Sequence, residues 1–218
     1  MSTAMPSNAL DLSVLVVARD AAGQLGECLA SASFARETVV VLDRCTDRSA
    51  EIARQSGARV LEGSWPVEAD RRNAGIALCT SVWILELDAD ERVSEALRRE
   101  LPAAMGRAEH AFYYVPMHNY IGDVWVKHGW GAYNGVAAKP CLFRNGAKSW
   151  GAGEIHPSIS LTGESGRLIG ISITTSMPMS AASSAASTGI PTRRRRTSYR
   201  PVSAFTCIAR SAGFSRAF

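Results

Sequence analysis

The chain has 218 residues, 46% apolar and 20% charged, with a formal net charge of +4. That length and balance suit one buried core and exclude a wholly disordered or fibrous chain. No apolar run approaches the ~20 residues of a membrane-spanning helix, and Met1 to Asp11 lacks both the basic residues and the apolar stretch of a secretory signal, so a cytoplasmic protein is expected.

From residue 12, β-branched apolar runs alternate with stretches of helical period, as in βαβ units around a mostly parallel sheet. Leu12 to Ala18 reads as the first strand. Leu25, Cys28, Leu29 and Ala32 then recur at helical spacing, and Thr38 to Asp43 forms a second strand. Asp47 suits the cap of a helix running through Ile52 and Ala53 to Gly57. Arg59 to Glu62 is a short strand, Asp70 to Leu78 a helix, and Val82 to Leu87 a fourth strand that ends at Asp88, Asp90 and Glu91. Ser94 starts another helix. Beyond Met105 the pattern becomes aromatic and extended, over Phe112 to Met117, Tyr120 to Val126 and Val136 to Phe143, with Gly and Asn turns between.

Charge is distributed unevenly. All 20 acidic residues lie at or before Glu164, whereas the chain from Ser165 onward carries 8 arginines and no acid. Ser, Ala, Thr and Arg dominate that tail, which offers little periodic apolar surface and reads as poorly ordered. Arg193 to Arg196 could form a polybasic patch for anionic lipid or nucleic acid, or the tail could be a solvated appendage. The abrupt change after Gly170 favours a third reading, translation in a shifted frame. Cys28, Cys45, Cys79, Cys141 and Cys207 show no C-x-x-C or zinc-like spacing and read as reduced packing residues.

In parallel α/β sheets ligands bind beyond the carboxyl ends of the strands. Those positions are acidic here: Arg19-Asp20 after the first strand, Asp43 with Asp47 after the second, and Asp88-Ala-Asp90-Glu91 after the fourth. Carboxylates gathered on one rim need compensation, which a divalent ion carrying diphosphate oxygens supplies. If the strand alternation continues, Asp88 and Asp90 point to the same side. The chain lacks G-x-G-x-x-G and G-x-x-x-x-G-K, against a dehydrogenase or a P-loop ATPase. Nucleotidyl transfer remains a competing class, although its glycine-rich loop after the first strand is missing.

These motifs, in this order, resemble the family 2 glycosyltransferases of GT-A fold, above all the bacterial group near the lipopolysaccharide core glucosyltransferases. The resemblance rests on Ala18-Arg19-Asp20, Asp43-Arg-Cys-Thr-Asp47-Arg-Ser49, Arg72-Asn73 and Leu87-Asp88-Ala-Asp90-Glu91-Arg92, and extends more loosely to Leu168. It implies an α/β, Rossmann-like, mostly parallel sheet flanked by helices, followed by a mixed β acceptor half and an irregular C-terminal tail. The corresponding boundaries are an extension over 1–11, a transferase domain over 12–168 divided at 105, and a basic tail over 169–218.

By the same resemblance, Ala18 and Asp20 line the nucleotide pocket, Asp43 contacts the base, Arg72 approaches the base or diphosphate, and Asp88 and Asp90 hold the ribose and a Mn²⁺ or Mg²⁺ ion. Asp20 stands where the family usually has Glu. In the second half, Leu142-Phe143-Arg144 precedes Glu154 and His156, the candidates for the base that takes the acceptor proton, with Pro157 where relatives often have Glu. Tyr113, Tyr114, Tyr120, Trp125, Trp130 and Tyr133 are candidates for an acceptor groove, though core packing is the commoner role of such residues. The implied reaction is inverting transfer of a hexose from a UDP-sugar to a lipid-linked or lipopolysaccharide-type acceptor, with peripheral contact at the inner membrane and no nucleic acid. A donor-binding remnant without turnover is the alternative.

Overall fold

The computed structural model describes residues 10–121, 124–125, 138–151 and 157–176. The first half alternates strand and helix: β1 (Leu10–Ala18), α1 (Leu25–Ser31), β2 (Ala35–Asp43), α2 (Ser49–Gln55), β3 (Arg59–Gly63), α3 (Glu68–Leu78), β4 (Trp83–Asp88), β5 (Glu91–Val93) and α4 (Glu95–Met105). The second half is strands: β6 (Phe112–Ile121), β7 (Val124–Trp125), β8 (Ala138–Arg144), β9 (Lys148–Trp150), β10 (Ile159–Leu161), β11 (Ser165–Arg167) and β12 (Ser172–Ser176). The main sheet runs β3-β2-β1-β4-β8-β6-β12-β5. Its first four strands are parallel, β8 lies antiparallel to both β4 and β6, and β12 runs parallel to β6. β9 and β10 form a separate antiparallel pair. A parallel half followed by a mixed half is what the sequence pattern implies.

The parallel strands are apolar on both faces because helices cover both. On one face Val14, Val16, Ala18, Val40, Leu42, Leu85 and Leu87 join Leu25, Cys28 and Leu29 of α1. On the other, Leu15, Val17, Val39, Val41 and Ile84 meet Ile76 of α3. Helix α3 lies close to this face. A Cβ on Gly75 would fall 2.5 Å from Leu15 Cδ1 and 2.8 Å from Val41 Cγ2, so only glycine lets the helix approach so near.

Three local expectations are corrected. The aromatic stretch does not turn at His118-Asn119; β6 continues through both because β12 pairs with it there, His118 opposite Ile173 and Asn119 opposite Thr174. Asp90 does not continue the alternation of β4. That strand ends at Asp88, and Ala89-Asp90 form the turn into β5. The domain also extends past Leu168. The carboxylate of Glu100 accepts the backbone N–H groups of Ile169, at 2.9 Å, and Gly170, at 2.7 Å. Strand β12 then fills the gap between β6 and β5, with Ser172 fully buried. Apolar content misleads here because a strand reading Ser-Ile-Thr-Thr-Ser is held by main-chain pairing on both sides.

Candidate active site

The carboxyl ends of β1, β2 and β4 lie side by side, which sets Asp43 and Asp88 two strand spacings apart, about 10 Å. Register places Asp88 beside Val17 and Val17 beside Val41, and pleating puts Asp43 on the same face as Val41. Glu86 shares that face. It is the face covered by α3, and two consecutive residues of the helix reach the acids. Arg71 donates to Asp43 at 3.2 Å, while Arg72 donates to Glu68 on its own helix, to Glu86 at 2.7 Å and to Asp88 at 3.0 Å.

Each expected donor-site residue therefore has protein partners. Asp43, 1% exposed, accepts two bonds from the Arg44 guanidinium at 2.9 Å and one from the Trp65 N–H at 3.1 Å. The Arg44 bonds first, then the Trp65 N–H and the arginine charges, outweigh burial and hold its carboxyl at about 2. Asp20 and Arg44 both occupy the left-handed region, with φ of 47° and 53°. Such strain in non-glycine residues persists only where surrounding bonds fix it. Asp20 Oδ1 accepts the Thr46 N–H at 2.7 Å, and Asp47 accepts the N–H groups of Ala22 at 2.8 Å and Ser49 at 3.0 Å. The loops after β1 and β2 are thereby tied together, with Asp47 at the start of α2. Ala18 is buried beneath them, its carbonyl facing the Cys45 thiol.

Asp20, Cys45 and Asp47 could bring three ligand atoms within 4.8 Å of one another. The loop bonds just described engage Asp20 Oδ1 and both Asp47 oxygens, and the cluster ties the two loops together.

The acidic end of β4 borders a cavity of about 230 Å³. Its walls include Arg72, Glu86, Asp88, Glu91, Lys139 and Trp150. Two cations from the second half complete the charge set. Lys148 of β9, 3% exposed, donates to Glu86 at 2.6 Å, and Lys139 of β8 donates to Asp88 at 2.7 Å and to Glu91. Glu86, Asp88 and Glu91 thus face Arg72, Lys139 and Lys148, three carboxylates against three cations, while Asp90 has no ion pair among the described residues.

Burial opposes ionisation of Asp88, but Arg72 and Lys139 outweigh it and keep the carboxyl below the usual range. Burial and the Asp88 charge push Asp90 up, and push Glu91 to about 7. Glu91 Oε2 and the indole N–H of Trp150 are both buried without a partner among the described residues. Two orphaned polar groups, one acceptor and one donor, thus belong to residues that wall a single cavity. Buried polar groups without partners are rare and costly, and a bound ligand would satisfy them.

Sequence reasoning did not find Glu86, Lys139, Lys148 or Trp150. A signal existed for the first: a glutamate inside the apolar run Trp83-Ile-Leu-Glu-Leu demands a buried counter-charge. Among the described residues expected at an acceptor groove, Tyr113, Tyr114, Tyr120 and Trp125, none lines the cavity. Tyr113 is core, 1% exposed, with its hydroxyl on the Ala104 carbonyl at 2.7 Å. Trp125 stacks on His118, and Trp130 and Tyr133 lie outside the described residues, as do Glu154 and His156. Trp150 instead faces the cavity, carrying Arg72 over its ring at 4.7 Å and locked to α3 by a two-way amide contact between its backbone and Asn73, at 2.8 and 2.9 Å.

The family model described as glycosyl transferase family 2 matches residues 13–161. The chain belongs to this family. Among curated relatives of this glycosyltransferase chain, a TPR repeat-containing protein of Synechococcus elongatus is 36% identical over 100 residues, 45% of this chain and 25% of that protein. The lipopolysaccharide core biosynthesis glycosyltransferase LpsC of Rhizobium meliloti is 26% identical over 109 residues, 46% of this chain and 39% of LpsC. The chain spans well under half the length of either relative. The crystal structure of residues 1–349 of S. aureus TarS superposes with a TM-score of 0.51 at 16% identity, covering 63% of this chain and 48% of that one, a likeness of fold. The architecture is of the GT-A type, and Asp88 lines the cavity.

Proposed function

We propose that this family 2 chain transfers a hexose from a UDP-sugar to a lipid-linked or lipopolysaccharide-type acceptor, with inversion at the anomeric carbon and in a metal-dependent manner. The observation that carries the reading is the cavity beside Asp88, lined by Glu86, Asp88 and Glu91 together with Arg72, Lys139 and Lys148, where buried polar atoms of Glu91 and Trp150 have no partner among the described residues. Family membership and the relative LpsC support the reaction class and the acceptor class.

Asp88 and Asp90 fit a hard divalent ion by the chemistry of the donor set. Both offer oxygen, and Asp90 has no ion pair among the described residues. Mg²⁺ and Mn²⁺ sites of this kind use one or two carboxylates together with phosphate oxygens of the substrate. Such an ion, when bound, neutralises charge on the leaving nucleoside diphosphate. The remaining roles fall to the chain. Arg72 fixes the Asp88 carboxylate in place. Trp150 and Glu91 offer a donor and an acceptor to sugar hydroxyls. Ala18, Asp20 and Asp43 bound the nucleotide side, with Asp43 as the base contact. Glu154 and His156 are the candidates for the proton acceptor, and they belong to the connection between Trp150 and Ile159, both of which line the cavity.

Incubation with a panel of UDP-hexoses, Mn²⁺ and rough-type lipopolysaccharide acceptors tests the reading. Transfer by the parent, reduced at least a hundredfold by Asp90→Asn and by one of Glu154→Gln or His156→Ala, is expected. UDP binding without transfer or hydrolysis of any sugar would favour a donor-binding remnant.

A further inference from the structure

The two lysines of the site are not equivalent. Lys148 is enclosed, 3% exposed, with its ammonium shared between Glu86 and the Pro140 carbonyl at 3.1 Å, and with the rings of Phe143 and Trp150 against it. It is a fixed part of the core. Lys139 is 33% exposed and, among the described residues, its ammonium pairs with the two carboxylates Asp88 and Glu91 across the cavity edge. Continuing the β4–β8 register from Leu85↔Leu142 sets Lys139 opposite Asp88, so its ammonium stands on the carboxylate expected to take part in holding an ion. An ammonium on a flexible four-carbon stem, open to solvent on one side, can leave without disturbing the strand that bears it.

The geometry points to Lys139 as an exchangeable counter-ion: its ammonium bridges Asp88 and Glu91 when no divalent ion is bound, and a divalent ion must displace it from Asp88 to bind. This inference rests on the metal-dependent reading above. A single positive charge about 5 Å from a divalent ion opposes binding by roughly tenfold even in a water-like dielectric. Without the lysine, Asp88 and Glu91 repel each other, and the metal-free protein loses stability that the ion restores.

Two measurements test this. In the parent chain, whose lysines are at 127, 139 and 148, acetic anhydride labelling read by peptide mass should speed up several-fold at Lys139 when Mn²⁺ is added, and stay unchanged at Lys148. In Lys139→Met and Lys139→Gln, calorimetry without nucleotide should show Mn²⁺ binding roughly tenfold tighter than in the parent, and melting should show a lower metal-free midpoint and a larger rise on Mn²⁺ addition. The glutamine variant keeps an N–H for Asp88 and so guards against loss of folding. If the parent binds Mn²⁺ in the presence of UDP, yet Lys139 labelling is indifferent to Mn²⁺ and both variants bind the ion no tighter, the counter-ion role is overturned while the metal reading stands. If the parent binds no Mn²⁺ even with UDP, the metal reading falls and this inference falls with it.

Discussion

Asp43 shows how a single carboxylate serves both fold and site. Its pKa is depressed from the ordinary 3.8 to about 2, so the folded state holds the proton less tightly than the unfolded chain. The resulting stability is fully present above about pH 4 and is lost as pH falls through about 2. Asp43→Asn should therefore lower stability at neutral pH by about 2 kcal/mol, the scale of a charged hydrogen bond, and flatten the acid limb of the melting profile. An acid limb identical to the parent's would show that the carboxylate is not ion-paired in solution. Glu86 and Lys148 make a stricter case, since both are nearly sealed from water. Breaking the pair with Glu86→Gln should cost about 3 to 5 kcal/mol, whereas the double change Glu86→Leu with Lys148→Met should recover most of that loss. Chemical denaturation of the single and double variants measures both. From sequence, Asp43, Asp88 and Asp90 were legible because strand ends concentrate ligand chemistry. Lys139 and Lys148 were not, because each lies more than 45 residues from its acid and only the register of β8 and the docking of β9 bring them together.

At the scale of elements, α3 carries the arrangement. Its arginines divide between the acids of β2 and β4, its Asn73 fixes Trp150, and Gly75 sets its distance from the sheet. The parallel strands and all four helices were legible as periodicity, to within a few residues at their ends. The short strands β5, β9, β10, β11 and β12 were not. None has an apolar period of its own; β5, β11 and β12 are held on the edges of longer neighbours, and β9 and β10 by each other. The segment after Leu168 is the sharpest instance. A Cβ on Gly170 would lie 2.3 Å from Leu97 Cα and 2.5 Å from Leu97 N, against backbone that cannot yield. Gly170→Ala should destabilise the protein by about 1 to 3 kcal/mol in urea denaturation. An unchanged midpoint would mean that the chain beyond Leu168 is not docked on α4.

For the molecule as a whole, a neutral-looking composition conceals a site built around buried charge. No helix among the described residues is long and apolar enough to cross a membrane. Both halves of the fold contribute to one charge network: the parallel half supplies the acids and Arg72, the mixed half Lys139, Lys148 and Trp150. The acids beside the cavity are already paired with protein cations. A divalent ion should accordingly bind weakly alone and more tightly together with a diphosphate. Calorimetry of UDP with the parent chain and with Asp90→Ala, each with and without Mn²⁺, measures this directly. UDP affinity raised at least tenfold by Mn²⁺ in the parent, and unaffected by Mn²⁺ in the variant, is the predicted result; UDP binding that ignores both the ion and Asp90, or no binding at all, would contradict a metal-assisted donor site at the end of β4.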